Sequence, residues 1–257
     1  MKNTEKKDED LVKIVQPLVD WYRENKRDLP WRHNPDAYRV WISEIMLQQT
    51  RVEAVKGYYD RFLKALPTVK DLAEAEEDKL LKLWEGLGYY NRVRNMQMAA
   101  RTVVCEYEGK LPASYEELLS LKGIGNYTAG AIASIAYQIP VPAVDGNVLR
   151  VISRITEDRQ DIMKQSVRRQ IEESLLEIMP EDIPGDFNQA LMELGAVVCV
   201  PNGSARCEAC PVSEYCLAYR HGTVEELPVK APKKERILQN RTVLVIQDGE
   251  KTAIQKR

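Results

Sequence analysis

The chain has 257 residues, 44% of them apolar, enough to bury one large hydrophobic core or two smaller ones. A formal net charge of −2 excludes a uniformly basic surface, so any contact with nucleic acid has to come from local patches. No apolar run is long enough to cross a bilayer and the opening MKNTEKKDED lacks an apolar signal core, which leads to the expectation of a soluble, cytoplasmic protein with no membrane association.

Residues 9–220 read as helix after helix, with no convincing alternating strand. LVKIVQPLVDWY (11–22) repeats apolar residues at helical spacing. In LPWRHNPDAYRVWISEIMLQQTRV (29–52) a helix sets Glu44 on one face with Val40, Trp41, Leu47 and Gln48. A carboxyl among such neighbours loses water, and its pKa rises; a partly buried glutamate in a salt bridge would leave the same pattern. VEAVKGYYDRFLKAL (52–66) is the next helix, Thr68 with Asp71 resembles a helix-starting capping pair, and Ser114 with Glu117 reads as a capping box. Arg92, Arg94 and Arg101 follow Tyr89 and Tyr90 and form either a basic patch or a solvated face, and Cys105 reads as a small buried residue. Pro67, Gly86, Gly88, Pro112, Pro140, Pro142, Pro180 and Pro184 mark short connections.

LKGIGNYTAG (121–130) puts Gly123 and Gly125 between two helices, where glycine permits positive φ and a close approach of another backbone. The next helix begins at about Asn126, and its free amides suit a phosphate oxygen; a turn without any ligand uses the same glycines. In PAVDGNVLRV (142–151) Asp145 opens a helix containing Val148, Val151 and Ile152. It is an N-cap, a carboxylate held ionised by backbone donors, or both.

Four cysteines follow as Cys199-x7-Cys207-x2-Cys210-x5-Cys216, a pattern that suggests metal ligation rather than disulfides. A zinc ribbon would offer two Cys-x2-Cys knuckles, whereas one knuckle with long arms suits a [4Fe–4S] cluster better. Beyond Cys216, ELPVKAPKKERILQN reads as a linker with Lys230, Lys233, Lys234 and Arg236, and RTVLVIQDGEKTAIQKR as a hairpin about Asp248-Gly249. A lone hairpin is not stable. It either begins a β-containing domain or packs on the helical body.

LKGIGNYTAG followed by VPAVDGNVLRV resembles the helix-hairpin-helix DNA glycosylase superfamily of the endonuclease III type, over about residues 10–220. That resemblance implies an all-α fold of two helical lobes: 1–29 plus 140–225 bearing the cluster, and 30–139 as a six-helix domain bearing the hairpin. A linker (226–240) and a fragment of a nudix-like β-containing domain (241–257) would follow. It also implies that Gly123 and Gly125 grip DNA backbone, that Asp145 stands at the scissile glycosidic bond, and that Cys199, Cys207, Cys210 and Cys216 hold a [4Fe–4S] cluster that stiffens a DNA-facing loop. The first cysteine gap is one residue longer than usual in that superfamily, and a turn at Pro201-Asn202-Gly203 would absorb it.

Tyr127 stands where bifunctional members of the superfamily carry a Schiff-base lysine, so the resemblance implies base removal without strand cleavage. Within the superfamily, the segments 29–52 and GLGYYNRVRN (86–95) resemble the MutY-type adenine DNA glycosylases. The implied partner is double-stranded DNA with adenine opposite 8-oxoguanine or guanine, and the implied enzyme is a nucleoid-associated monomer. Its catalytic residues would be Glu44 as the acid, Asp145 as the charged stabiliser, and Tyr127 and Asn147 orienting Asp145 and the sugar. Arg27, Trp31 and Gln189 would line the adenine pocket, while Gln49, Thr50, Leu87 and Tyr89 would fill the gap and face the opposite strand. With the nudix-like part barely begun, weak discrimination between 8-oxoguanine and guanine is expected. The alternatives are a bifunctional endonuclease III-like glycosylase/lyase and a non-catalytic iron–sulfur DNA-binding module.

Overall fold

The structure, a computed structural model, describes residues 11–201, 203–232, 239 and 245–253. Twelve α-helices among these residues carry the fold. A first lobe holds α2 (Ala37–Leu47), α3 (Val52–Ala65), α4 (Val69–Glu74), α5 (Glu77–Trp84), α6 (Asn91–Glu106), α7 (Tyr115–Ser120) and α8 (Asn126–Tyr137). Its core runs from Leu29 to Ala143 and includes Trp41, Phe62 and Trp84. The segment expected to hold six helices thus holds seven, of which α4 and α7 are only six residues long. A second core joins α1 (Val15–Asn25) to α9 (Gly146–Ile155), α10 (Gln165–Glu177), α11 (Pro184–Val197) and α12 (Leu217–His221). No helix among the described residues is long and apolar enough to cross a membrane.

Local chemistry explains several boundaries. Thr68 and Asp71 form the expected reciprocal capping box at α4. Ser114 caps α7 by accepting from the Glu117 amide and also donates its hydroxyl to Glu116, but the reciprocal bond from the Ser114 amide to the Glu117 carboxylate is not made. Pro184 sits in the first turn of α11, where its missing N–H has no partner to lose, rather than in a connection. Cys105 is exposed, contrary to expectation. The buried positions of α6 are Val93, Met96, Ala99, Ala100 and Val103, and two residues past Val103 a helix presents its opposite face.

Helices α8 and α11 form the seam between the lobes. α8 packs on α2 and α11, and α11 also packs on α1 and α9. The seam is tight because two positions lack a side chain. A Cβ on Gly130 of α8 would lie 2.4 Å from the Pro142 carbonyl oxygen, and one on Gly185 would lie 2.7 Å from the Ser134 carbonyl. Asn188 of α11, fully buried, accepts from the Ala143 amide (3.0 Å) and donates to Ser134 Oγ and the Val141 carbonyl (2.8 Å each). One amide thereby ties α8, α11 and the strap 141–143 that leads into Asp145.

At the C-terminal end β1 (Gln247–Asp248) pairs antiparallel with β2 (Lys251–Thr252). The pairing puts the loop at Gly249-Glu250, one residue later than Asp248-Gly249, with Gly249 at φ +59°. Residues 233–238 and 240 of the expected linker, with Lys233, Lys234 and Arg236, lie outside the described residues, as do Asn202 and the flanks 241–244 and 254–257 of the expected β-containing fragment.

Gly130→Ala pushes a methyl into backbone that cannot retreat without moving the strap. The expected cost is about 1–3 kcal/mol, read as a lower urea midpoint. An unchanged midpoint would show that the strap yields freely.

Candidate active site

A cleft of about 1780 Å³, its open mouth included, collects side chains from both lobes. Glu44, Tyr127, Asp145 and Asn147 line it together with Arg27, Trp31, Gln189, Gln49 and Thr50. The cleft gathers these nine expected site residues from five separate stretches of chain.

Glu44 sits on α2, capped by Asp36, on the face that also buries Val40 and Trp41. It is 6% exposed, and its Oε2 accepts a hydrogen bond from the Tyr127 hydroxyl. Burial pushes its pKa up to about 7; the Tyr127 bond opposes this, the negative charge of Asp145 adds to it, and Arg32 opposes it weakly. Burial, with the charges of Glu44 and Asp145, holds the Tyr127 phenol well above its ordinary value, so it remains a donor. The Tyr127 hydroxyl is thus directed at Glu44, and among the described residues it forms no hydrogen bond with Asp145.

Asp145 caps α9. Its Oδ1 accepts from the Asn147 and Val148 amides at 2.8 Å each, and its Oδ2 from Asn147 Nδ2 at 2.7 Å. Burial still raises its pKa above the ordinary carboxylate value, against these donors and Arg150. With three donors at a helix N-terminus, Asp145 is much better provided for negative charge than Glu44, which has one. Asn147 thus holds Asp145 through both its backbone amide and its side chain.

The support behind Asn147 reaches the cysteines. Arg150 Nη2 donates to Asn147 Oδ1 and to the Gly195 carbonyl, and its Nε to the Cys199 carbonyl, all at 2.8 Å. A Cβ on Gly195 would lie 2.5 Å from Asn147 Cβ, so α11 presses directly on this residue.

Glu193 was not among the expected site residues. It is 1% exposed and lines the cleft. It accepts from Arg27 Nε (2.7 Å) and Nη2 (2.8 Å) and from Arg32 Nη2 (2.8 Å). Burial works to raise its pKa, but the two guanidinium groups prevail and hold it at about 2. Its signal in the sequence is a single acid inside the apolar stretch ALMELGAVV. Arg27 consequently reaches the cleft with its fork already bound.

The remaining expected positions divide. Trp31 both lines the cleft and belongs to the first core, edge-on to Tyr59 at 5.5 Å. Gln49 holds φ +61° in the turn after α2, and Gln189 donates to the Gly185 carbonyl. Leu87 is 6% exposed within the first core, so it faces inward, whereas Tyr89 is 69% exposed at φ +47°. Gly123 takes φ +82° against Asn95, and Gly125 caps α8 with open space where a Cβ would be. The arginines after Tyr89 do not form a free patch. Arg92 donates to the carbonyls of Ile45 (2.7 Å), Gln48 (2.6 Å) and Leu87 (2.9 Å), Arg94 pairs with Glu77 (3.0 Å), and Arg101 donates to the Ala73 carbonyl (3.1 Å).

The four cysteines line one cavity with Val151, Leu194, Val198 and Val212. Arg154 Nη1 lies 3.2 Å from Cys199 Sγ. Burial pushes the Cys210 thiol up to about 12. Among the described residues no three His, Cys, Asp or Glu side chains are grouped as round a single ion.

Residues 42–177 match the model of the HhH-GPD superfamily base excision DNA repair proteins, and the chain belongs to that superfamily. Within it the chain is similar to adenine DNA glycosylases. It is 43% identical to that of Mus musculus over 244 residues (90% of this chain, 47% of the mouse protein) and 44% identical to that of Homo sapiens over 219 residues (82% and 40%). The chain spans about half the length of the curated relatives it matches. Among solved structures, that of a thermostable thymine-DNA glycosylase superposes with a TM-score of 0.74 at 29% identity, covering 85% of this chain and 99% of that one.

The Glu44 environment makes a stability prediction. Folding moves its pKa from 4.5 to about 7, so an unfolded chain ionises it first and the fold is destabilised increasingly as pH rises between those values. Glu44→Gln removes that effect and should stabilise the protein by up to about 3 kcal/mol at pH 8 but little at pH 4. Urea unfolding at both pH values checks this; the same gain at each would show that the cost of Glu44 is not one of ionisation.

Proposed function

We propose that the chain is a monofunctional adenine DNA glycosylase, acting as a monomer on double-stranded DNA and removing adenine opposite 8-oxoguanine or guanine. The observation that carries this reading is the unequal pair of acids in one cleft: Glu44, pushed up to about 7 and held by one phenol, and Asp145, held by three donors. The target nucleoside must leave the base stack to reach them. Adenine is a poor leaving group as an anion, and the protonated Glu44 supplies its proton at N7. As the bond to the sugar breaks, positive charge grows on the deoxyribose, and the Asp145 carboxylate stabilises it. Water then completes the hydrolysis, deprotonated by Glu44 in its basic form. One carboxyl kept protonated and one kept charged is the division of labour of a retaining glycosidase. Tyr127 cannot form an imine, and the strand stays intact.

Many members of this family carry a [4Fe–4S] cluster. Cys199, Cys207, Cys210 and Cys216 would hold one here. The donor set fits: four thiols line one cavity, with Arg154 beside Cys199 to offset negative charge. The cluster would supply rigidity to the loop between Cys199 and Cys216 and no step of the excision. The purified chain should be brown and contain iron and acid-labile sulfide in equal amounts; a colourless zinc protein would overturn the assignment.

Single-turnover excision on a duplex with adenine opposite 8-oxoguanine tests the chemistry. Strand breaks should appear only after hot alkali. Glu44→Gln and Asp145→Asn should each lose at least about 100-fold in rate while still binding DNA. The rate should also decline as pH rises through about 7, where the Glu44 proton is lost. Breaks without alkali, or a borohydride-trapped adduct, would instead support the lyase reading.

A further inference from the structure

The charge inside the cleft is opposite to that of the chain. Arg27, Arg32, Arg51 and Arg168 all line it, facing Glu44, Asp145 and Glu193. With Glu44 protonated, four guanidinium groups stand against two carboxylates. Arg27 and Arg32 are bound to Glu193. Arg51 and Arg168 are different: neither side chain forms a hydrogen bond or ion pair with a described residue. A guanidinium presents five donors in a planar fork that fits a phosphate bidentately, and here two such forks are left open.

Their positions come from different lobes. Arg51 is the residue before α3, in the turn that carries Gln49 and Thr50, and it is exposed. Arg168 lies in the first turns of α10, a helix of the second core, and is partly buried. Each therefore reaches the cleft from its own side, with Glu44 and Asp145 among the residues between the lobes.

We propose that Arg51 and Arg168 form a phosphate clamp that binds the phosphodiesters on either side of the extruded nucleotide. The proposal deepens the glycosylase reading and rests on it for the identity of the strand. A nucleotide turned out of a duplex carries its two flanking phosphates towards the protein, and pairing each with an arginine from a different lobe holds the sugar over the acids. Contacts of this kind carry no base specificity. They register as counterion release, so each contributes to the salt dependence of binding.

The test uses the whole chain and a duplex with a tetrahydrofuran abasic analogue opposite 8-oxoguanine, which keeps both phosphates but has no base to excise. Affinity is measured by fluorescence anisotropy over a range of salt concentrations. Arg51→Ala and Arg168→Ala should each reduce the slope of log affinity against log salt by about one, and the double variant by about two. Arg51→Lys and Arg168→Lys should restore the slope, because charge is kept. Thermal unfolding of all variants shows whether a loss is one of folding. A slope unchanged in either alanine variant, or lost equally in the lysine variant, overturns the clamp. Since the probe contains no adenine, a chain that excises nothing would still report the slopes, and the two readings can fail separately.

Discussion

Removing the Glu44 carboxyl from water destabilises its charged form more than the hydrogen bond from Tyr127 stabilises it, and the site is arranged around that imbalance. The acid lies on the inner face of α2, where Val40, Trp41 and Ile45 exclude solvent. Asp145 adds to the effect, since a negative neighbour makes a second negative charge harder to form. The same neighbour gains from the arrangement, because a neutral Glu44 does not repel it. Burial raises both carboxyl groups, and the three donors on Asp145 against one on Glu44 make Asp145 the better provided of the two for negative charge.

That difference survives only if the acids are held in register, and they come from different lobes. The chain solves this at the α8–α11 seam. Gly130 lets α8 touch the strap before Asp145, Asn188 fixes the strap with every polar atom of its amide engaged, and Gly195 lets α11 press on Asn147. Behind Asn147, Arg150 bonds to Gly195 and to Cys199. The position of Asp145 therefore depends on the loop that carries the cysteines as well as on its own helix. Small residues at one level and fully satisfied buried polar groups at the next are what a rigid seam requires.

How much of this was legible in the sequence depended on distance along the chain. Glu44 and Asp145 announced themselves locally, one by helical spacing among apolar residues and the other by a proline-flanked strap ending in Asp-Gly-Asn. The α8 hairpin and the capping of α4 were legible for the same reason. The partners were not. Glu193 meets Arg27 across 166 residues and Tyr127 meets Glu44 across 83, and no local pattern encodes a pairing made by folding. Arg92 looked like surface charge because arginine usually is; here its fork closes the loop after α2 by binding three carbonyls. Leu87 and Cys105 differ in exposure. Leu87 follows a glycine turn that folds it inward, and Cys105 falls on the outer face of α6.

Glu193 shows why such a hidden partner matters to the chemistry. Arg27 and Arg32 both line the cleft beside Glu44, and two free guanidinium groups would favour the charged form of that acid and draw its pKa back towards the ordinary range. Glu193 takes up both forks from a buried position, and its own charge is secured by them, with its pKa held at about 2. Arg32 is left as only the smallest of the influences named on Glu44, below burial, Tyr127 and Asp145. The ion-paired trio thus supplies polar contacts to the wall of the cleft without cancelling the desolvation that raises the Glu44 pKa. A third acid, charged and fully paired, leaves burial as the largest influence on the first.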